Sequence, residues 1–188
     1  MSNTFAKFVG SLSAGTLAFG LLLPANIAPS PAEAIELGGG RTFFDSAPRL
    51  IRTATTNSSA NAPGTYHFTI AHPEDAGVPL KAVTISRPRG LEQLEFDVSD
   101  SRAFQGDSFA GGPSIPLASI GGAEDADEVM IVFDEPVQPG SVVTVALSAE
   151  ANPSFGGVYS FGVTVFPVGE NSPGLYLGSR DIRFYSSD

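Results

Sequence analysis

The chain has 188 residues, 42% hydrophobic and 16% charged, enough for one globular domain with an ordinary core. Its 20 acidic residues outweigh 10 basic ones, for a formal charge of −10. With no run of Lys or Arg, that balance excludes nucleic acid and anionic membrane surfaces, which bind through clustered positive charge. Cys is absent, and with it thiol catalysis, a Cys-ligated metal and a lipidated cysteine anchor; Trp, the commonest sugar-stacking ring, is absent too.

Residues 1–34 read as a secretory signal peptide. Lys7 supplies a sparse positive start, an apolar run covers 8–23, and Ala32-Glu33-Ala34 is a small-residue cleavage motif. The run contains Gly10, Gly15 and Gly20 and falls short of the roughly 20 residues that span a bilayer. The alternative is an uncleaved N-terminal anchor. No later apolar run reaches spanning length. Cleavage after Ala34 removes Lys7 and Glu33 and leaves the charge at −10.

Residues 35–64 read as an N-terminal arm. Gly38-Gly39-Gly40 is a flexible lead-in, Thr42-Phe43-Phe44 is expected to form a short edge strand, and 49–61, rich in Thr, Ser, Asn and Ala, an irregular loop. From Thr65 the pattern becomes regular. Tyr66, Phe68 and Ile70 alternate with His67, Thr69 and Ala71 before His72-Pro73 closes the strand. Residues 82–87 point Val83 and Ile85 inward, and 91–98 do the same with Leu94, Phe96 and Val98. The Gly-rich segment 101–122 is expected to be a long loop around at most one short strand at 114–119. Residues 129–133 are apolar on both faces and read as a strand buried between layers, with Met130 in the core. A Pro-rich turn leads into 142–149, where Val143, Val145 and Leu147 alternate with smaller residues. The strand at 157–166 puts Tyr159, Phe161, Val163 and Val165 on one side, and short pieces follow at 175–177 and 182–185. No segment has a helical period. About eight or nine strands separated by Gly/Pro turns predict an all-β, antiparallel immunoglobulin-like β-sandwich over 65–188, with a closed barrel or jelly roll as the alternative.

Several blocks carry a resemblance: Phe-Asp-Ser-Ala-Pro-Arg-Leu at 44–50, Tyr-His-Phe-Thr-Ile-Ala-His-Pro-Glu-Asp-Ala-Gly-Val-Pro-Leu at 66–80, Ser-Arg-Ala-Phe-Gln-Gly at 101–106, Phe133–Gly140, and the glycine-bounded strand 156–167 followed by 174–178. In this order they resemble an exported cyanobacterial family of unknown function. The resemblance implies source and export and brings no activity. The turn Phe-Asp-Glu-Pro-Val-Gln-Pro-Gly is similar to one in the copper-resistance CopC-like sandwiches, although Ile35, at the expected mature N-terminus, is not the histidine that often ligates copper there.

His67 and His72 are the sole histidines and would carry most transition-metal or general-base chemistry. Their spacing puts them on opposite faces of a regular strand, which favours structural roles. Glu124, Asp125, Asp127 and Glu128 concentrate carboxylates in one loop, a composition suited to Ca²⁺ but without EF-hand spacing, and equally that of a solvated acidic turn. These six residues are the candidate metal ligands, for copper or calcium. A hydrolase is not expected. There is no Gly-x-Ser-x-Gly motif, and the adjacent carboxylates of Asp134 and Glu135 point apart on a strand. Phe104, Phe109, Phe155 and Phe166 are candidates for sugar stacking or for anchoring loops. The sequence therefore predicts an exported, non-catalytic binding or structural module of the periplasm, cell surface or medium, with an envelope protein or glycan as partner. Periplasmic metal binding is the alternative.

Overall fold

The computed structural model describes residues 40–87, 94–121 and 128–186. The ten strands among them are β1 (Arg49–Thr55), β2 (Gly64–Ala71), β3 (Leu80–Ser86), β4 (Phe96–Gln105), β5 (Ser114–Ile115), β6 (Leu117–Gly121), β7 (Glu128–Val137), β8 (Val142–Ala149), β9 (Gly157–Pro167) and β10 (Leu175–Phe184). They form two five-stranded antiparallel sheets, β1-β2-β8-β4-β5 (the first sheet) and β10-β9-β3-β7-β6 (the second). The fold is an antiparallel β-sandwich of immunoglobulin-like type. No described helix is long and apolar enough to cross a membrane.

Period-2 alternation explains the core. Tyr66, Phe68 and Ile70 of β2 and Val143, Val145 and Leu147 of β8 face Val83 and Ile85 of β3, Ile131 and Phe133 of β7, and Phe161, Val163 and Val165 of β9. Burying one such side chain contributes about 1.5–3 kcal/mol. The rings of Tyr66 and Phe161 meet edge to face at 5.5 Å, and Phe68 and Phe161 at 6.0 Å, the offset geometry that ring quadrupoles favour.

Four sequence expectations are corrected. The edge strand of the first sheet is β1, not Thr42-Phe43-Phe44. The 42–44 segment instead docks on the end of the sandwich, where the Thr42 backbone N–H donates to Ser172 Oγ at 3.0 Å and Thr42 Oγ1 donates to the Val168 carbonyl. β1 is masked in the sequence because its register slips between Leu50 and Arg52, which breaks the apolar alternation. Segment 101–122 is largely sheet: β4 runs to Gln105, and β5 and β6 follow. Met130 lies on the outer face of the second sheet, 41% exposed, because Val129, Ile131 and Phe133 take the inward positions. The two pieces expected near the C-terminus are one strand, β10, bent by a bulge between Tyr176 and Gly178, where Gly178 holds a positive φ of 99°.

Candidate functional site

The outer face of the first sheet carries the most unusual chemistry among the described residues. Strand register lines up two rows across it. Arg52, Thr69, Thr144 and Phe104 form one row, and Ala54, His67, Ala146 and Arg102 the other. The two alanines flank His67 with small side chains, so the imidazole sits in a shallow depression between larger neighbours. Thr69 and Thr144 bond each other through their hydroxyls at 3.0 Å, and Thr144 Oγ1 donates onward to the Gly106 carbonyl at 2.7 Å.

The loop joining β4 to β5 folds over this face and lays Phe109 on it. The Arg52 guanidinium carbon is 4.5 Å from the Phe109 ring centre, a cation–π contact. His67 meets the same ring edge-on at 5.1 Å and Phe104 at 6.3 Å. The result is a cradle with Arg52 and His67 as its polar floor and Phe109 as its cover. The cover itself is half exposed, at 48%. Beneath it Arg52 Nε and Nη2 and His67 Nδ1 are buried with no hydrogen-bond partner. Burial pushes His67 below its ordinary pKa, and the positive charges of Arg102 and Arg52 push the same way. The Thr65 backbone pulls in the opposite direction without reaching hydrogen-bond geometry. The imidazole is therefore neutral near pH 7.

His72 is placed differently. It follows the last residue of β2 and is enclosed at the sandwich end, 1% exposed, with Nε2 3.0 Å from the Val78 carbonyl and Phe44 edge-on at 5.6 Å. Burial lowers its pKa, with the Val78 carbonyl opposing. The two histidines share no partner, as the opposite faces of a regular strand dictate. Glu128 is exposed at the start of β7, in the other sheet. Glu124, Asp125 and Asp127 lie outside the described residues. Among the described residues, no three His, Cys, Asp or Glu side chains gather as a metal ion requires.

A family model described as a protein of unknown function, DUF2808, matches residues 41–184. The chain belongs to that family. No curated protein matches it. Among solved structures, BslA, titled a bacterial hydrophobin, has 12% identity and a TM-score of 0.48, with 76% of this chain and 97% of that one covered. An uncharacterized immunoglobulin-like protein from Nocardia farcinica has 11% identity and a TM-score of 0.42, covering 70% and 95%. The collagen-binding domain of a Staphylococcus aureus adhesin has 8% identity and a TM-score of 0.37, covering 66% and 88%. These likenesses say nothing of ligand or activity.

Other surfaces of this DUF2808 chain are simpler. A cleft of about 510 Å³ is lined by Asn61, Leu94, Phe96 and the carboxylates Glu95, Asp97 and Glu150. Hydrogen bonds from Ser99 hold the Asp97 carboxyl below its ordinary range, which is local turn chemistry. Of the four sequence-flagged rings, Phe104 is buried, Phe166 is half-buried on the outer face of the second sheet, and Phe109 and Phe155 are exposed, Phe155 at 70%. Arg52 escaped the sequence reading. It belongs to a strand the alternation did not reveal, and its partner ring comes from a distant loop.

Proposed function

We propose that this chain is an exported, non-catalytic binding module of a cyanobacterial cell envelope, and that the face of the first sheet is its binding surface. The supporting observation is the covered cradle, where a cation, an imidazole and an aromatic ring converge with their polar atoms unpartnered. A fold maintained for packing alone satisfies such atoms, since each buried unpaired group costs about 1–3 kcal/mol. The arrangement lacks a nucleophile beside its base, so it is suited to recognition rather than turnover. Residues 1–34 act as the cleaved leader, and the arm at 35–64 contributes β1 to the sandwich built from 65–188. The test is co-sedimentation of the chain with purified envelope glycan and with envelope proteins. Saturable retention on either fraction that falls on His67→Gln supports the module; no retention on any fraction ends it.

A second reading, periplasmic binding of copper or calcium through His67, His72, Glu124, Asp125, Asp127 and Glu128, has one observation in its favour. Both imidazoles keep Nδ1 without a hydrogen-bond partner. Thermal melts after chelation, with Ca²⁺ or Cu²⁺ restored, separate the two readings. An ion at 100 times its dissociation constant adds about 2.7 kcal/mol, which moves the midpoint by about 5–10 °C for a domain this size. A shift of that size that vanishes in His67→Ala plus His72→Ala establishes a histidine site. Flat curves remove the metal reading.

A further inference from the structure

The two unpartnered nitrogens of Arg52 are Nε and Nη2, the pair on one edge of the guanidinium. That edge is one face of the donor fork that grips a carboxylate with two parallel N–H···O bonds. His67 Nδ1, also buried and unpartnered, lies under the same ring. Among the described residues, nothing on the face supplies the missing acceptor. Phe109 covers the donors with an apolar ring, which contributes its quadrupole but no hydrogen bond.

The cover stands on a hydrogen-bonded base. Gln105 N–H donates to the Pro113 carbonyl and Gly106 N–H to the Val142 carbonyl, each at 2.8 Å. A side chain at Gly112 would sit 2.1 Å from the Gln105 carbonyl, so the base admits only glycine there. The tip bonds chiefly to itself: Gly111 N–H donates to the Ser108 carbonyl at 3.1 Å and Ala110 N–H to Ser108 Oγ at 3.2 Å. Gly106 and Gly111 flank that tip at positive φ, 96° and 90°, with open space around both.

We propose that residues 106–113 form a flap whose Phe109 ring holds the place of a ligand, and that the ligand is a carboxylate carried on a ring. The ring takes the position of Phe109 against the Arg52 guanidinium and the His67 ring, and the carboxylate takes the Arg52 Nε/Nη2 edge. This rests on the binding-module reading and names its ligand class. An acidic sugar and an aromatic acid share this chemistry.

The test is titration of the full chain with sodium galacturonate, galactose and benzoate, observed through the ¹⁵N–¹H signal of the Arg52 side chain. The expected result is a saturable shift with one or both acids and none with galactose; the acid that binds more tightly identifies the source. Arg52→Lys keeps the charge but loses the fork and is expected to weaken binding at least about tenfold. Phe109→Ala is expected to tighten binding, because the apparent constant improves as the open fraction grows. No shift with either acid, or weaker binding in Phe109→Ala, overturns the proposal. Should Arg52→Lys misfold, hydrogen exchange of wild-type Arg52 Nε–H decides instead, since a placeholder ring implies exchange that quickens in Phe109→Ala and slows with bound acid. Envelope retention that persists in Arg52→Lys and resists competing acid overturns the ligand class while leaving the module reading intact.

Discussion

Two buried polar regions of this sandwich follow opposite rules. At one end of the core, Tyr66 donates its hydroxyl to Asn152 Oδ1 at 2.7 Å, and Asn152 Nδ2 donates to the carbonyls of Asn57 and Ser59 at 3.0 and 2.9 Å. Each of these side-chain atoms has a partner, and the node ties a strand to two loops. On the outer face of the first sheet, Arg52 and His67 carry polar atoms of similar burial with no acceptor at all. The first arrangement is what stability selects. The second costs stability, which makes it the place to look for function.

The largest effect that can break this contrast is at the node. Asn152→Ala leaves the Tyr66 hydroxyl and the Ser59 carbonyl without these partners and the Asn57 carbonyl with Thr55 Oγ1 alone; it is expected to destabilise by about 3 kcal/mol, lowering the thermal midpoint by about 6–12 °C. An unchanged melt would dissolve the distinction. Tyr66→Phe should cost less, about 1–2 kcal/mol. Burial, and secondarily Tyr159, raises the Tyr66 pKa above its ordinary 10.0. Neutral Tyr66 thus contributes stability that is complete below about pH 10 and lost as pH rises beyond it. In urea melts that alkaline loss should shrink in Tyr66→Phe.

Arg52→Met sharpens the comparison from the other side. Replacing a guanidinium whose buried Nε and Nη2 lack acceptors, while keeping its apolar stem, should raise stability by about 0.5–1 kcal/mol and abolish carboxylate binding. A loss of stability would place Arg52 among the structural residues. The smallest effect is expected from acid. Both imidazoles are held below the ordinary 6.5, so the unfolded chain takes up protons that the native chain refuses. Their contribution is complete above about pH 6.5 and is lost as pH falls. Comparing urea midpoints at pH 7.5 and 5.5 for His67→Gln and His72→Gln apportions that loss between the outer face and the His72 end of the sandwich.

How far the sequence reveals these regions depends on whether the signal is local. β2, β3, β8 and β9 stand out because one face of each is buried and the period of two survives. β4 is obscured by a register shift between Asp97 and Arg102, and β10 by the Gly-Ser-Arg-Asp stretch at 178–181, where an edge strand exposes polar side chains. Met130 misleads because an outward methionine follows the same letter code as a buried one. His67 is visible as a chemical type, but the cradle is not. Arg52, His67 and Phe109 come from a strand edge, a strand interior and a loop, and only sheet register unites them.

The bulge in β10 bears on crowding. A ten-residue outer strand presents a row of free backbone groups on which an identical chain could pair and propagate into a fibre. Here Gly178 bends that row, Arg180 reaches across to the Leu50 carbonyl at 3.5 Å, and Asp181 and Arg183 stand exposed along it. The rim that would otherwise seed a fibre is thereby blunted from within the strand itself.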